Sequence, residues 1–296
     1  MKTMTLASET DYGAEALGFN IYYAPVCHAI KNPLLQRNGA LLGFAIGDAL
    51  GKPFKQKSML DLMSRNFRLR YSAEFTQLGL GELRGGRMTA ALQRELQLQT
   101  GASSNVVNHE PWHERLARCF TQSVLNVEAR SALTSAETPL LRCCLTLVSE
   151  FTAACHQGWQ NLHQPEVWQQ TILTALTQIT DSKEKDQIRA LCNQTRACIR
   201  KHSSEIVDEL STLTQSERWD LQAQHVLLSV LLAMQIVCKQ AYQVKPAITE
   251  ALLTLNDARL CTALVGGWLG LAHGQGALPD EWVANLVEGV VLRGTL

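Results

Sequence analysis

From Pro111 onward, apolar residues recur at helical spacing almost without interruption, and no run alternates β-branched with polar residues as a half-buried strand would. The pattern predicts an all-α chain. Pro111, Pro139, Pro165, Pro246 and Pro279 each stand at the head of an apolar-periodic run, where a fixed φ and a missing N–H suit the first helical turn. Asp181-x-x-Glu184 and Thr214-x-x-Glu217 read as capping boxes. The run His225 to Cys238 is apolar nearly all round, as expected of a central buried helix. Ahead of Pro111 the pattern is more broken. Residues 1–35 are weakly periodic, with Gly13, Gly18, Pro25 and Pro33 as breakers. They read as an N-terminal extension whose Phe19, Tyr22 and Tyr23 either pack back on the body or reach a partner. Lys55 to Gly81 reads as a short helix and a loop, Gly79, Gly81, Gly85 and Gly86 lead into a helix beginning near Met88, and Gly101 to Asn108 is a loop. The organisation predicted is an extension over 1–35 and one domain over 36–296.

The run Gly39 to Phe54, GALLGFAIGDALGKPF, is helical in pattern with glycines at 39, 43, 47 and 51, which places all four on one face. Each costs about 1 kcal/mol in a helix relative to Ala, so the face must meet something that leaves no room for a Cβ. Asp48 inside the run, with Lys52 and Pro53 ending it, argues against a membrane span.

Composition narrows the function classes. The chain has 296 residues, 46% of them hydrophobic and 18% charged, enough for a large core. Its 27 acidic residues balance 27 basic ones, so the overall field implies neither nucleic acid nor a membrane surface as partner. Nine cysteines are spread along the chain, mostly in apolar helical settings, and read as reduced, buried thiols. The opening MKTMTLASETDYGAEALG has a single early Lys and no apolar h-region, and no apolar run reaches about 18 residues without a charge. The expected compartment is the cytoplasm. His109 and His113, and Cys198 and His202, have metal-ligand spacing but no third ligand nearby in sequence.

GALLGFAIGDALGKPF closely resembles the first motif of the ADP-ribosylglycohydrolase family. Asn256 to Trp282, NDARLCTALVGGWLGLAHGQGALPDEW, is similar to that family's closing segment, where Asp-Thr-Asp-Thr opens a small-residue helix that ends in a Gly-containing turn and Ile-Pro-x-x-Trp. A fainter likeness, to Gly-Asn-Gly-Ser-x-Met-Arg, lies at Ala136 to Arg142, where only Arg142 matches. The resemblance implies an all-helical globule in which carboxylates hold two Mg²⁺ ions in a cleft and ADP-ribose is cleaved from a protein side chain. Mg²⁺ demands near-octahedral oxygen ligation.

The ligand positions depart from the family's pattern. Where it shows Thr-Asp-Asp-Thr after Gly-Glu, this chain has Arg84, Gly85, Gly86 and Arg87 after Gly81-Glu82-Leu83. Against Asp-Thr-Asp-Thr it has Asp257-Ala258-Arg259-Leu260, so Asp257 survives and the second Asp is Arg259. Lys55 stands at the acid that often follows the first motif. A dinuclear site cannot be built from Asp48 and Asp257, and a guanidinium repels a cation. The only alternative carboxylates nearby are Asp61 and Glu82.

If the fold is kept, Arg259, with Arg87 as a second candidate, faces Asp48 and Asp257. Two readings stand. The arginines replace the metals as internal counter-ions, or they bind an anion such as the pyrophosphate of ADP-ribose, helped by the Gly85-Gly86 backbone. The expectation is a catalytically degenerate family member without a metal cofactor. It would act by binding a protein partner, such as an ADP-ribosyltransferase or an ADP-ribosylated protein, or by binding an ADP-ribosyl group. A divergent hydrolase that dispenses with the metal pair and a scaffold with a closed cleft are the alternatives.

Overall fold

A computed structural model describes residues 32–52, 82–99, 110–125, 138–162, 164–199, 201, 209–210, 219–252 and 258–294. In chain order the helices are α1 (Pro33–Gly51), α2 (Arg87–Gln99), α3 (Trp112–Leu125), α4 (Pro139–His156), α5 (Pro165–Leu176), α6 (Ser182–Ala197), α7 (Leu221–Lys239), α8 (Val244–Leu252), α9 (Arg259–His273), α10 (Asp280–Asn285) and α11 (Gly289–Gly294), with 3-10 turns at Trp159–Asn161 and Gln275–Ala277. Among the described residues the sole β feature is an isolated parallel bridge between Leu83 and Leu286. The protein is all-α.

Local chemistry starts the helices where the sequence placed breakers. Asn32 caps α1 by accepting from Leu34 N at 3.0 Å, and Pro33 is its first residue. Pro33 therefore opens the glycine-faced helix, ahead of the boundary drawn at residue 36, because its lost N–H has no partner at a helix start anyway. Pro139 and Pro165 head α4 and α5 in the same way, and Asp181 accepts from Glu184 N at 2.9 Å at the start of α6. Pro246 lies two residues inside α8, still in the first turn, where no intrahelical partner is lost. The Thr214 capping box and the segments 55–81 and 101–108 lie outside the described residues.

Helices α1 and α9 form the centre. They run antiparallel, and what presses on the glycine face is the backbone of α9. A Cβ at Gly39, Gly43 or Gly47 would fall inside the carbonyl oxygens of Gly270, Gly266 and Thr262, and one at Gly51 would lie 2.7 Å from Arg259 Cα. Every residue of α1 from Gly39 to Gly51 and of α9 from Leu260 to Ala272 is buried. Ring contacts knit the neighbours to the pair: Phe44 stacks on Phe120 of α3 at 4.8 Å, and Trp268 meets Phe151 of α4 edge-on at 4.7 Å. Trp268 Nε1 also donates to Thr152 Oγ1 at 2.9 Å, which satisfies a buried N–H.

Helix α7 corrects one reading of the sequence. Leu221 to Cys238 contains no Asp, Glu, Lys or Arg, and by length and hydropathy α7 could cross a membrane, but 78% of that window is buried inside the protein. It is a core helix flanked by α4, α6, α8 and α9. The buried Glu250 of α8 meets Lys239 Nζ at 3.0 and 3.1 Å at its end. Helix α2 is fixed on α3 by Arg118, which bonds Glu95 at 3.2 Å and Glu110 at 2.7 Å, and by Arg94 to Glu114 at 2.7 Å. Eight described cysteines are free thiols and all are buried; Cys27 lies outside the described residues.

Candidate functional site

The site forms where the last turn of α1 meets the first turns of α2 and α9. Asp48 is fully buried there, and its two oxygens have separate duties. Oδ2 accepts from Gly86 N at 2.7 Å, Thr89 N at 2.9 Å and Thr89 Oγ1 at 2.9 Å. Gly86 immediately precedes α2 and Thr89 is its third residue, so these are N–H groups that no helical carbonyl can reach. A capping box divides this task between two side chains of the helix itself. Here one carboxylate from another helix performs both halves, with its charge at the positive end of the α2 dipole.

Oδ1 accepts from Arg259 Nε at 3.1 Å and from Nη2 at 2.6 Å. The Arg259 side chain is 16% exposed. A cation on the first residue of α9 opposes that helix's dipole, and the pair with Asp48 offsets the penalty. Room for the guanidinium comes from Gly86. A Cβ there would overlap Nη2 and lie 3.0 Å from Cζ and 3.1 Å from Asp48 Oδ1. Glycine at 86 and arginine at 259 are thus two parts of one arrangement.

Gly85 N donates to Glu288 Oε2 at 3.1 Å. The same C-terminal stretch pairs with the segment before α2 through Leu83 N to Asn285 O and Val287 N to Leu83 O, both 2.9 Å. The approach to α2 is therefore pinned from two sides, by Asp48 and by residues 285–288.

Of the residues singled out by sequence, Asp48, Gly85, Gly86 and Arg259 come together. Arg84 is 64% exposed, with Nη2 3.8 Å from Glu82, and Arg87 is exposed on the first turn of α2. Neither forms the counter-ion; Arg259 does, because α9 lies directly against α1 whereas Arg87 points outward. Lys55, Asp61 and Asp257 lie outside the described residues. Sequence reasoning missed Thr89 and Glu288. Thr89 carried a signal, a hydroxyl residue three positions after Gly86. Glu288, which reaches back 203 residues, carried none.

Five donors converge on Asp48, so neither oxygen is placed to take a proton from a water or to ligate a cation. Among the described residues no three His, Cys, Asp or Glu side chains are grouped to hold a metal. The set around Asp48 consists of N–H groups, a hydroxyl and a guanidinium, the reverse of the oxygen cage that Mg²⁺ needs. These residues do not fit the two-Mg²⁺ site that the resemblance implied.

A family model described as ADP-ribosylglycohydrolase matches residues 121–296. The match takes in α9 and Arg259 and begins beyond α1 and Asp48. It also spans the stretch between residue 121 and α7, where the sequence motifs are weakest. No curated protein matches the chain.

Proposed function

The chain belongs to the ADP-ribosylglycohydrolase family, and from that premise we propose that it is a catalytically degenerate member acting in the cytoplasm by binding. Its ligand is a protein partner or an ADP-ribosyl group, and its role is to inhibit or regulate ADP-ribosylation. The observation that carries this reading is the closure of Asp48 by Arg259, with Nη2 2.6 Å from Oδ1 and the remaining oxygen filled by the start of α2. Metal-assisted glycoside cleavage needs cations to hold and polarise the substrate, and a guanidinium cannot exchange its ligands for a substrate oxygen. The counter-ion reading is favoured over the pyrophosphate reading, since the Gly85 and Gly86 N–H groups already donate to Glu288 and Asp48.

The test uses the full chain in two assays. Calorimetric titration with Mg²⁺ and with Mn²⁺ should give no saturable site, and peptides bearing ADP-ribosyl-arginine or ADP-ribosyl-serine should release no ADP-ribose. A tight cation site abolished by Asp48→Ala or Asp257→Ala would overturn the proposal. So would turnover that an Asp48→Ala, Asp257→Ala double variant loses.

A further inference from the structure

The end of the molecule that holds the Asp48–Arg259 pair presents cations and exposed aliphatic side chains together. We propose that this face, made of Lys52, Arg84, Arg87, Val287, Val290 and Val291, docks an acidic protein segment that also carries apolar side chains. The inference rests on the binding reading above and names the chemistry of the partner.

The backbone puts these residues on one surface. Across the parallel bridge, Leu83 and Leu286 are buried, so their successors Arg84 and Val287 face outward side by side. Arg84 is 64% exposed and Val287 39%. Beyond Val287 the chain turns into α11, which presents Val290 and Val291 at 74% and 52% exposure while Leu292 faces inward. Arg87 is exposed on the first turn of α2, which Asp48 holds against α1, and Lys52 is exposed at the end of α1, one turn beyond Asp48. The hydrogen bonds from Leu83, Val287 and Gly85 lock the valine-bearing segment to the arginine-bearing one, so the face is ordered before a partner arrives, which lowers the entropy cost of docking.

Charge selects the occupant. Lys52, Arg84, Arg87 and Arg293 are exposed here, while Asp48 is neutralised by Arg259 and Glu288 is tied to Gly85 N. Among the described residues of this face the exposed acid is Glu82, and it sits beside Arg84. In a chain with no net charge, this local excess of positive charge complements an acidic segment. The three valines supply the apolar contact that a purely electrostatic patch lacks. An anionic bilayer fits less well. Valine is not among the aromatic and long aliphatic residues that seat interfacial helices, and α11 is too short to form an amphipathic face.

The test is fluorescence anisotropy of the full chain with a labelled amphipathic peptide of Glu and Leu. Comparators are the same peptide with Lys for Glu, polyglutamate, and phosphatidylserine vesicles. The Glu/Leu peptide should bind in a salt-sensitive manner, at least about tenfold more tightly than the Lys peptide or polyglutamate. Arg84→Glu with Arg87→Glu, and separately Val290→Ser with Val291→Ser, should each weaken it by at least about tenfold while circular dichroism and Tm stay at wild-type values. Equal binding by both variants overturns the proposal, as does polyglutamate matching the Glu/Leu peptide. Vesicle binding that the same substitutions abolish, with the peptide ignored, replaces the protein partner by a membrane and also overturns it. Peptide binding alongside metal-dependent turnover would sink the degenerate-enzyme reading alone; silence in the turnover assay with no peptide binding would sink this inference alone.

Discussion

Truncating Arg259 to alanine removes two of the five donors on Asp48, both from Oδ1, and leaves that oxygen buried with its charge intact. Stranding one member of a buried pair costs about 3–5 kcal/mol. The three bonds that Oδ2 keeps with Gly86 and Thr89 place the expected loss near the low end. For a chain of this size, about 3 kcal/mol corresponds to a fall in Tm of about 5 °C. Adding Asp48→Asn should raise the Tm of Arg259→Ala, because a neutral amide retains an oxygen for the α2 N–H groups and removes the stranded charge, giving a coupling of about 1 kcal/mol or more in a double-mutant cycle. Gly86→Ala should reproduce the defect with Arg259 still present, since its Cβ would displace Nη2. Ethylguanidinium, which supplies the Cγ, Cδ and guanidinium that the truncation removes, should rescue Arg259→Ala and leave the wild type unmoved. At ten times its Kd the ligand contributes about 1.4 kcal/mol, or roughly 2–3 °C, read by thermal unfolding. An Arg259→Ala protein that melts within ~1 °C of wild type and ignores ethylguanidinium would refute the internal counter-ion.

Three further outcomes follow from the same geometry. Gly43→Ala and Gly266→Ala each drive a Cβ into a backbone carbonyl of the facing helix and should destabilise by about 3 kcal/mol or more, against the roughly 1 kcal/mol of helix propensity gained. Gly276→Ala, with open space around it, is the neutral control in urea unfolding. The eight described thiols are buried, and burial pushes Cys143, Cys144, Cys155 and Cys261 well up and Cys192 and Cys238 up to about 12; Ellman titration should reach them only after denaturation. Burial pushes His273 below the ordinary histidine value, although its Nε2–H donates to the Ala241 carbonyl. The fold therefore favours the neutral ring, and the stability it contributes is complete above about pH 6.5 and lost as pH falls through the lowered value. Urea midpoints should drop between about pH 7.5 and 5.5, and less so in His273→Gln, with His156, also lowered by burial, keeping some slope.

The glycine spacing in α1 implied that something would approach that face too closely for a Cβ, but not that the α9 backbone would be what fills it. Period and prolines sufficed for the helices, because an apolar stripe and a first-turn proline are local properties. The site was half legible. Asp48 and Arg259 were visible as a charge left over and a charge gained, but that Arg259 and not Arg87 reaches Asp48 depends on the direction of two side chains, which spacing does not encode. Glu288 was invisible for a simpler reason: its role is set by a bridge between segments that local sequence gives no cause to join. The exposed valines of α11 carried no periodic signal either, the helix being six residues long.

The contact between α1 and α9 joins distant parts of the chain: Thr262 Oγ1 donates at 2.8 Å to the Gly47 carbonyl, 215 residues earlier. On a ribosome adding about 5–20 residues per second, α1 emerges roughly 10–40 s before the helix that must cover its glycine face. During that interval an apolar segment of low helix propensity has no native surface to bury against, and the closure it awaits is of the long-range kind that slows folding. The feature that makes the finished core so tight also leaves α1 uncovered in the nascent chain until α9 has been made.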